Sequence, residues 1–329
     1  MGVIYSGIMK NIFKLDKNYD IFLSLTWEQN HEHGISGHIY EIIDYFFILN
    51  KQFKVGIFFG ESINNWDEFK RLILQKYSFS NEELKDYENN TFYCNRPTII
   101  TGKNILFVDG AIKARFVNNG TILKFKNIFS FKCSNHCNHT LFDIPYNIQL
   151  LSDLRVYSDI IPEENKIALH YIKKILFKKY RQINNCTVNN TALLYITSNC
   201  RSITHNNLTN LINSYGFDKY IAITNTPEKF NDYHDERVSF IRPGLDKLFE
   251  KFNTYIYTPL SGKFDCSPRL IAECKYYNKE VIYHNIDDEY LKIDSGLRVR
   301  KNDIINSFNT LFLEDKDEIV DILNERIYR

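Results

Sequence analysis

The stretch FDCSPRLIAECKYYNKEVIY, from Phe264 to Tyr283, contains residue types that bind a phosphate at the start of a helix. Ser267 is a favoured N-cap residue and Pro268 suits the first helical position, so a helix is predicted to begin here. The free backbone N–H groups and the positive dipole end of such a helix attract an anion. Arg269, in the first predicted turn, carries a guanidinium that pairs well with phosphate. The pattern therefore predicts an anion site.

Two carboxylates belong to the same stretch. Asp265 precedes the predicted helix and Glu273 lies one turn inside it, with seven residues between them (273 − 265 = 8). A carboxylate in the place of Glu273 can accept hydrogen bonds from two ribose hydroxyls. The alternative is a surface pair between Arg269 and Glu273, which is worth only about 0.3 kcal/mol, since the basic residue comes first.

Strand-like and helix-like runs alternate along most of the chain and must position these side chains. In the first half, the strands are DIFLSL, KVGIFF and NILFVDG, and the helical runs are HIYEIIDYFFILN and WDEFKRLILQKY. The alternation restarts with the strands ALLYITS, YIAIT, VSFI, TYIYT and EVIYH and the helical runs HNNLTNLINSYGF, LDKLFEKF and SPRLIAECKYYN. This order predicts parallel sheets with helices on their faces.

The alternation and the length of 329 residues predict two Rossmann-like, doubly wound α/β domains that face a cleft. The first is predicted over 1–185 and the second over 186–305, and a closing helix within 306–329 is expected to pack back on the first. Ligands of open parallel sheets bind beyond the carboxyl ends of the strands. The functional residues are therefore expected in loops that follow strands.

The stretch around Asp265 resembles the donor-binding signature of GT-B glycosyltransferases, in which an acidic residue, seven residues and a Glu mark the second, donor-binding domain. The resemblance implies that Glu273 binds the donor ribose, that Ser267 and Arg269 hold the diphosphate, and that Asp265 lies near the sugar hydroxyls. Lys263, in the preceding loop, is assigned to the same donor site. This chain has Asp where many members have Glu, and KYYNKEV where they often have a Gly-rich turn.

The same resemblance extends to two loops that follow strands. Arg201 follows ALLYITS and resembles the basic residue that contacts the donor phosphates, although a surface Arg is the alternative. Gly34 and Gly37 follow DIFLSL and resemble the glycine loop by which the first, acceptor-side domain faces the donor. Glycine allows close approach of a ligand to the backbone. Their spacing is not G-x-G-x-x-G, which argues against a dehydrogenase.

Two residues of the first domain are candidates for catalysis. His38 opens a predicted helix, and Asp109 ends a predicted strand, where a carboxylate facing a cleft is suited to act as a general base. Asp109 could equally cap a turn. An inverting transferase needs such a base, whereas the acidic-x7-Glu pattern is commoner in retaining enzymes, so the resemblance favours retention.

The resemblance implies a nucleoside diphosphate sugar as co-substrate, most often a UDP-sugar, and no required cofactor or metal. Positively charged groups would stabilise the leaving diphosphate. The segment CSNHCNH, from Cys133 to His139, contains zinc-ligand residue types. It lacks the paired, separated knuckles of a structural zinc site, so a polar loop is the favoured interpretation.

The charge balance argues against a protein held on nucleic acid or a membrane by bulk charge. Lys and Arg number 41 against 40 Asp and Glu, a net charge of +1. The basic run from Lys173 to Arg181 is a candidate surface for an anionic acceptor or DNA, with a solvated face as the alternative. No apolar run reaches transmembrane length. The seven scattered cysteines indicate reduced thiols and a cytoplasmic protein.

The sequence thus favours a glycosyltransferase whose acceptor is a glycan, a lipid, a protein or a modified DNA base. A nucleotide-sugar epimerase of the same fold and a non-enzymatic nucleic-acid-binding protein are the alternatives. Sugar transfer to an added acceptor distinguishes the transferase from the epimerase. Salt-sensitive DNA binding that does not need Glu273 would indicate the nucleic-acid-binding protein.

Overall fold

The structure of the chain is a computed structural model. The described residues are 13–15, 18–25, 37–59, 65–93, 98–108, 122–130, 148–151, 166–167, 175–184, 188, 190–196, 203–244, 247–258, 269–284, 291–292, 298–299 and 318–327.

The first sheet is parallel throughout its described strands. Their order is β4-β3-β2-β5-β6-β7-β8, and β1 pairs with the amino-terminal part of the long strand β5. The strands are β1 Phe13–Leu15, β2 Ile21–Leu25, β3 Val55–Phe59, β4 Thr91–Tyr93, β5 Thr98–Phe107, β6 Ile122–Ser130, β7 Ile148–Leu151 and β8 Lys166–Ile167. Counted from β2, this is the Rossmann order 3-2-1-4-5, so the strand order reverses between β2 and β5.

The second sheet is also parallel and repeats that order as β11-β10-β9-β12-β13. It reverses between β9 and β12. Its strands are β9 Thr191–Tyr195, β10 Lys219–Ile223, β11 Val238–Ile241, β12 Thr254–Tyr257 and β13 Glu280–Tyr283. A separate antiparallel pair consists of β14 Leu291–Lys292 and β15 Arg298–Val299.

Helices connect the strands of both sheets. The α-helices are α1 Gly37–Leu49, α2 Trp66–Lys76, α3 Asn81–Asn89, α4 His205–Asn213, α5 Arg269–Tyr276 and α6 Glu318–Ile327. Short 3₁₀ turns occupy Phe177–Lys179, Pro227–Phe230 and Leu248–Glu250. We call β1–β8 with α1–α3 the first sheet unit, and β9–β13 with α4 and α5 the second sheet unit. The predicted α/β class with two parallel sheets is confirmed.

Apolar periodicity explains helix α1, which follows β2, one of the two strands between which the order of the first sheet reverses. In α1, the side chains of Ile39, Ile42, Ile43 and Phe46 are all buried, as their spacing on one helix face predicts. The strand β3, VGIFF, is buried along its whole length, which is typical of a parallel strand covered on both faces. These elements form one apolar core below the carboxyl ends of β2 and β3.

One helical prediction is wrong where the structure describes it. The run LDKLFEKF forms only a 3₁₀ turn at Leu248–Glu250, preceded by Lys247 in the left-handed region at φ 53°. A residue in that conformation does not continue an α-helix. In the predicted basic surface, the described residues Phe177–Lys179 also form a 3₁₀ turn, which contains Lys178 and Lys179.

The buried clusters show what each helix covers. Val320 and Leu323 of α6 lie in the same cluster as α1 and α2, together with Leu176 and Tyr180 from the segment 175–184. In the second sheet unit, Leu193 packs with α5 on one face of the sheet, whereas Leu194 of the same strand packs with α4 in another cluster. Both faces of the second sheet are therefore covered.

Candidate functional site

Most of the predicted site residues follow the strands between which the strand order of each sheet reverses, which we call the switch-point strands. The described parts of these strands end at Leu25 (β2), Phe107 (β5), Tyr195 (β9) and Tyr257 (β12). The sequence after these strands contains six predicted residues that lie outside the described residues: Gly34, Asp109, Arg201, Lys263, Asp265 and Ser267. Their donor-binding and catalytic roles remain predictions.

Two further predicted residues open helix α1. Gly37 is the first residue of the helix and is exposed, and a Cβ built on it would meet no atom within 4 Å. The backbone at Gly37 is therefore open to a neighbouring group. His38 is the second residue of α1, but its side chain is outside the described part of the structure.

Arg269 and Glu273 lie on α5 and are both buried. Their side chains are 6% and 4% exposed, and Arg269 Nε donates to Glu273 Oε1 at 2.8 Å. The alternative of a solvent-exposed surface pair is therefore wrong. A buried pair needs further partners, because each charge has lost its hydration.

Residues outside the second sheet unit supply those partners for Arg269. Its Nη2 lies 2.6 Å from Asp44 Oδ2 of α1 and 2.8 Å from the hydroxyl of Tyr77, which follows α2. It also lies 2.6 Å from the hydroxyl of Tyr180. Tyr77 in turn donates to Asp44 Oδ1 at 2.8 Å. The guanidinium is therefore held by three separate segments outside its own sheet unit.

Glu273 is held in the same way. Its Oε1 accepts hydrogen bonds from Lys76 Nζ, the last residue of α2, at 2.7 Å and from the Tyr180 hydroxyl at 2.8 Å. Two carboxylates, Asp44 and Glu273, thus meet two cations, Arg269 and Lys76, so the formal charges of this set balance. We call these four charged residues the buried ionic cluster.

Burial and the neighbouring charges act in opposite directions on Glu273. Desolvation raises its pKa, but Lys76 and Arg269 together outweigh that effect and hold the pKa below its ordinary value. For Lys76, desolvation dominates and lowers the pKa, although Glu273 acts against it. The cluster therefore keeps Glu273 ionised at neutral pH in spite of its burial.

Two groups at the cluster remain outside these hydrogen bonds. Arg269 Nη1 is buried and has no hydrogen-bond partner, and the guanidinium carbon lies 5.5 Å from the centre of the Tyr40 ring. Glu273 Oε1 accepts all three hydrogen bonds that the structure gives to this carboxylate, and Oε2 accepts none of them. One donor group and one acceptor oxygen therefore have no hydrogen-bond partner among the described residues.

Sequence reasoning missed four partners of this cluster: Asp44, Lys76, Tyr77 and Tyr180. The one local signal was Asp44 itself, a carboxylate within the strongly apolar run IIDYFFIL. A buried carboxylate must be paired, so a charge in such a run indicates a partner elsewhere in the chain. The identity of that partner was not readable, since Arg269 is 225 residues away.

The predicted basic surface is partly engaged within the protein. Lys179 Nζ lies 2.6 Å from Glu83 on α3, and Arg181 Nε donates to the backbone oxygen of Tyr77 at 3.3 Å. Lys178 is exposed, and Lys173 lies outside the described residues. Part of the positive charge at this surface is therefore neutralised by Glu83.

The described residues contain neither a metal-ligand group nor a membrane-spanning helix. Among the residues that the structure describes, no three or more His, Cys, Asp or Glu side chains form a group able to hold a metal ion. The segment from Cys133 to His139 lies outside those residues. No helix in the described ranges has the length and apolarity needed to cross a membrane.

Comparisons with known proteins add one structural similarity. No protein-family model and no curated protein sequence matches the chain. Among solved structures, the chain is similar to the lipopolysaccharide outer core galactosyltransferase WaaB in its apo form, at 12% sequence identity and a TM-score of 0.36. The match covers 93% of this chain and 94% of that one. The class of the chain follows from its own topology, which is that of an α/β protein with two parallel sheets in the Rossmann strand order.

Proposed function

We propose that this protein is a glycosyltransferase that binds a nucleoside diphosphate sugar at the carboxyl ends of β9 and β12. The observation that carries the proposal is the strand order of the second sheet, which reverses between these two strands. Open parallel sheets bind their ligands at such a switch point. Helix α5 is the next described helix after β12, and the acidic-x7-Glu sequence from Asp265 to Glu273 ends within it.

The residues near this switch point suit the parts of such a donor. The diphosphate would be contacted by four side chains: Arg201, Lys263, Ser267 and Arg269. Arg269 would use Nη1, the guanidinium nitrogen that has no hydrogen-bond partner among the described residues. Guanidinium and phosphate form strong, charge-assisted hydrogen bonds. Asp265 would contact the sugar hydroxyls.

Glu273 would bind the donor ribose through Oε2, because Oε1 already accepts three hydrogen bonds. An ionised carboxylate only accepts hydrogen bonds, which suits two hydroxyl donors. The pKa of Glu273 lies below its ordinary value, so it is in the accepting form at neutral pH.

Catalysis in this proposal needs no metal. The cationic groups would stabilise the negative charge that develops on the leaving diphosphate. The acceptor would bind on the first sheet unit, whose loop after β5 contains Asp109, and Gly34 in the loop after β2 would face the donor. Retention is the proposed outcome, and in an inverting reaction Asp109 or His38 would act as the base.

Calorimetric titration with UDP, GDP, ADP and their sugar conjugates tests this proposal. We expect micromolar binding of one diphosphate, and Arg201→Ala should weaken binding of that diphosphate about 10- to 100-fold, the loss expected for one hydrogen bond to a charged group. Asp265→Asn should weaken only the sugar conjugate. The matched control is Lys219→Ala, because Lys219 is exposed at the amino end of β10, the opposite edge of the sheet.

Two glycine variants, titrated with the same ligands, test whether the first sheet unit contacts the donor. Gly37→Ala and Gly216→Ala each add a methyl group to an exposed backbone position where no atom lies within 4 Å. Both variants should fold normally, but only Gly37→Ala should weaken binding of the donor, because the proposal places the Gly37 backbone next to the ligand. Binding of no diphosphate by the folded wild type would refute the proposed function.

A further inference from the structure

Lys76 is the residue of the first sheet unit that directly contacts the carboxylate assigned here to the donor ribose. Its Nζ lies 2.7 Å from Glu273 Oε1, and its side chain is only 16% exposed. We propose that Lys76 is a positioning residue for Glu273, holding Oε1 so that Oε2 accepts the ribose hydroxyls. This inference rests on the proposed function.

The geometry around Lys76 is that of a fixed group rather than a mobile surface lysine. Its ammonium lies 3.9 Å from the centre of the Tyr40 ring, within the range of a cation–π contact. The ammonium is therefore held between an aromatic ring of α1 and a carboxylate of α5. A carboxylate with three donors on one oxygen cannot rotate without breaking those bonds, so the direction of Oε2 is set largely by Lys76, Tyr180 and Arg269.

Lys76 also determines the charge balance of the buried ionic cluster. With Lys76 neutralised, the carboxylates of Asp44 and Glu273 would share one guanidinium in a buried site. Two like charges that share a site raise the pKa of one of them. A protonated Glu273 would donate a hydrogen bond instead of only accepting, and recognition of the ribose hydroxyls would weaken. Several described ionisable groups interact with Glu273, and Asp44 on α1 reaches it through Arg269. These groups are Tyr40 on α1, Lys76 and Tyr77 at the end of α2, Tyr180, Arg269 and Cys274 on α5, and Tyr277.

The first measurement does not need a nucleotide. Carbon-13 NMR follows the titration of the Glu273 carboxyl, and Glu273→Gln assigns its signal. We expect Lys76→Met and Lys76→Gln to raise the pKa of Glu273 by about one unit or more, and Lys76→Arg to leave it near the wild-type value. The control is Lys70→Met on the same helix, because Lys70 pairs with Glu88 at the surface. An unchanged Glu273 pKa in both neutral variants would overturn the inference.

The second measurement compares the bound nucleoside diphosphate with its 2′,3′-dideoxy analogue. Wild type and Lys76→Arg should prefer the ribose form about 10-fold, as one or two hydrogen bonds to a charged group allow. Lys76→Met should have the same preference only while Glu273 is ionised. As the pH falls below the raised pKa of Glu273, the preference for the ribose form should disappear. A merely structural role would weaken both ligands equally and leave the preference intact, which would overturn the inference. Failure of the wild type to bind any of UDP, GDP or ADP would instead refute the proposed function.

Discussion

Arg269→Met is expected to lower the free energy of unfolding by about 3–5 kcal/mol, the range seen when one partner of a buried ion pair is removed. Asp44 is fully buried, and its Oδ2 would lose the guanidinium that lies 2.6 Å away. Burial raises the cost of an unpaired carboxylate because no water replaces the lost partner. Urea unfolding followed by circular dichroism measures this change.

Two control variants distinguish the loss of the buried ionic cluster from the loss of an arginine at the surface. Arg71→Met removes an exposed pair with Glu68 and should cost less than about 1 kcal/mol. Adding Asp44→Leu to Arg269→Met removes both partners and should recover much of the loss, since the uncompensated carboxylate is gone. An Arg269→Met variant within about 1 kcal/mol of the wild type would show that the buried ionic cluster does not join the two sheet units.

Phe22→Ala is expected to cost about 3–5 kcal/mol, as for other buried aromatic residues. Phe22 lies on β2, is fully buried, and packs edge-to-face against Tyr19 and Phe58 with ring centres 5.0 and 5.8 Å apart. Its truncation leaves a cavity in the strand that precedes the first switch-point loop. Urea unfolding measures the loss, and an unchanged midpoint would contradict the packing described here.

The glycine opposite Phe22 supplies a coupled test. Gly56 of β3 is the register partner of Phe22, and a Cβ on Gly56 would lie 2.7 Å from the Phe22 ring. Gly56→Ala should therefore cost about 1–3 kcal/mol by overpacking, but much less in the Phe22→Ala background. Gly216→Ala is the control, because its added methyl meets no atom within 4 Å. Equal costs in both backgrounds would contradict the close contact.

The fold class was predictable from the sequence because its signals are local. The buried face of α1 followed from the spacing of Ile39, Ile42 and Phe46, and the strands followed from short apolar runs. Helix α3 was missed even though Ser80 and Glu83 form a capping box, which is readable in the sequence as S-x-x-E. Apolar periodicity does not indicate this helix, because only Leu84 and Tyr87 of α3 are buried apolar residues.

The partners in the buried ionic cluster could not be predicted, because they depend on tertiary contacts. Lys76 and Glu273 are 197 residues apart, and their pairing requires both sheet units to be in place. The helix predicted for LDKLFEKF failed for a related reason. Phe249 and Phe252 are both buried against the second sheet, and a 3₁₀ turn is sufficient to place both rings there. Tertiary packing overrode the local helical pattern.

The most direct test of the central claim is hydrogen exchange of the full chain with and without UDP, GDP, ADP and their sugar conjugates. The proposed donor site predicts protection in peptides that follow β9 and β12, over residues 197–204 and 258–270, when one ligand is bound. Peptides at the amino ends of the second sheet, around Lys219, should exchange at unchanged rates. Protection at those amino ends, or no protection with any of the ligands, would contradict a nucleotide-sugar site at the switch point of the second sheet.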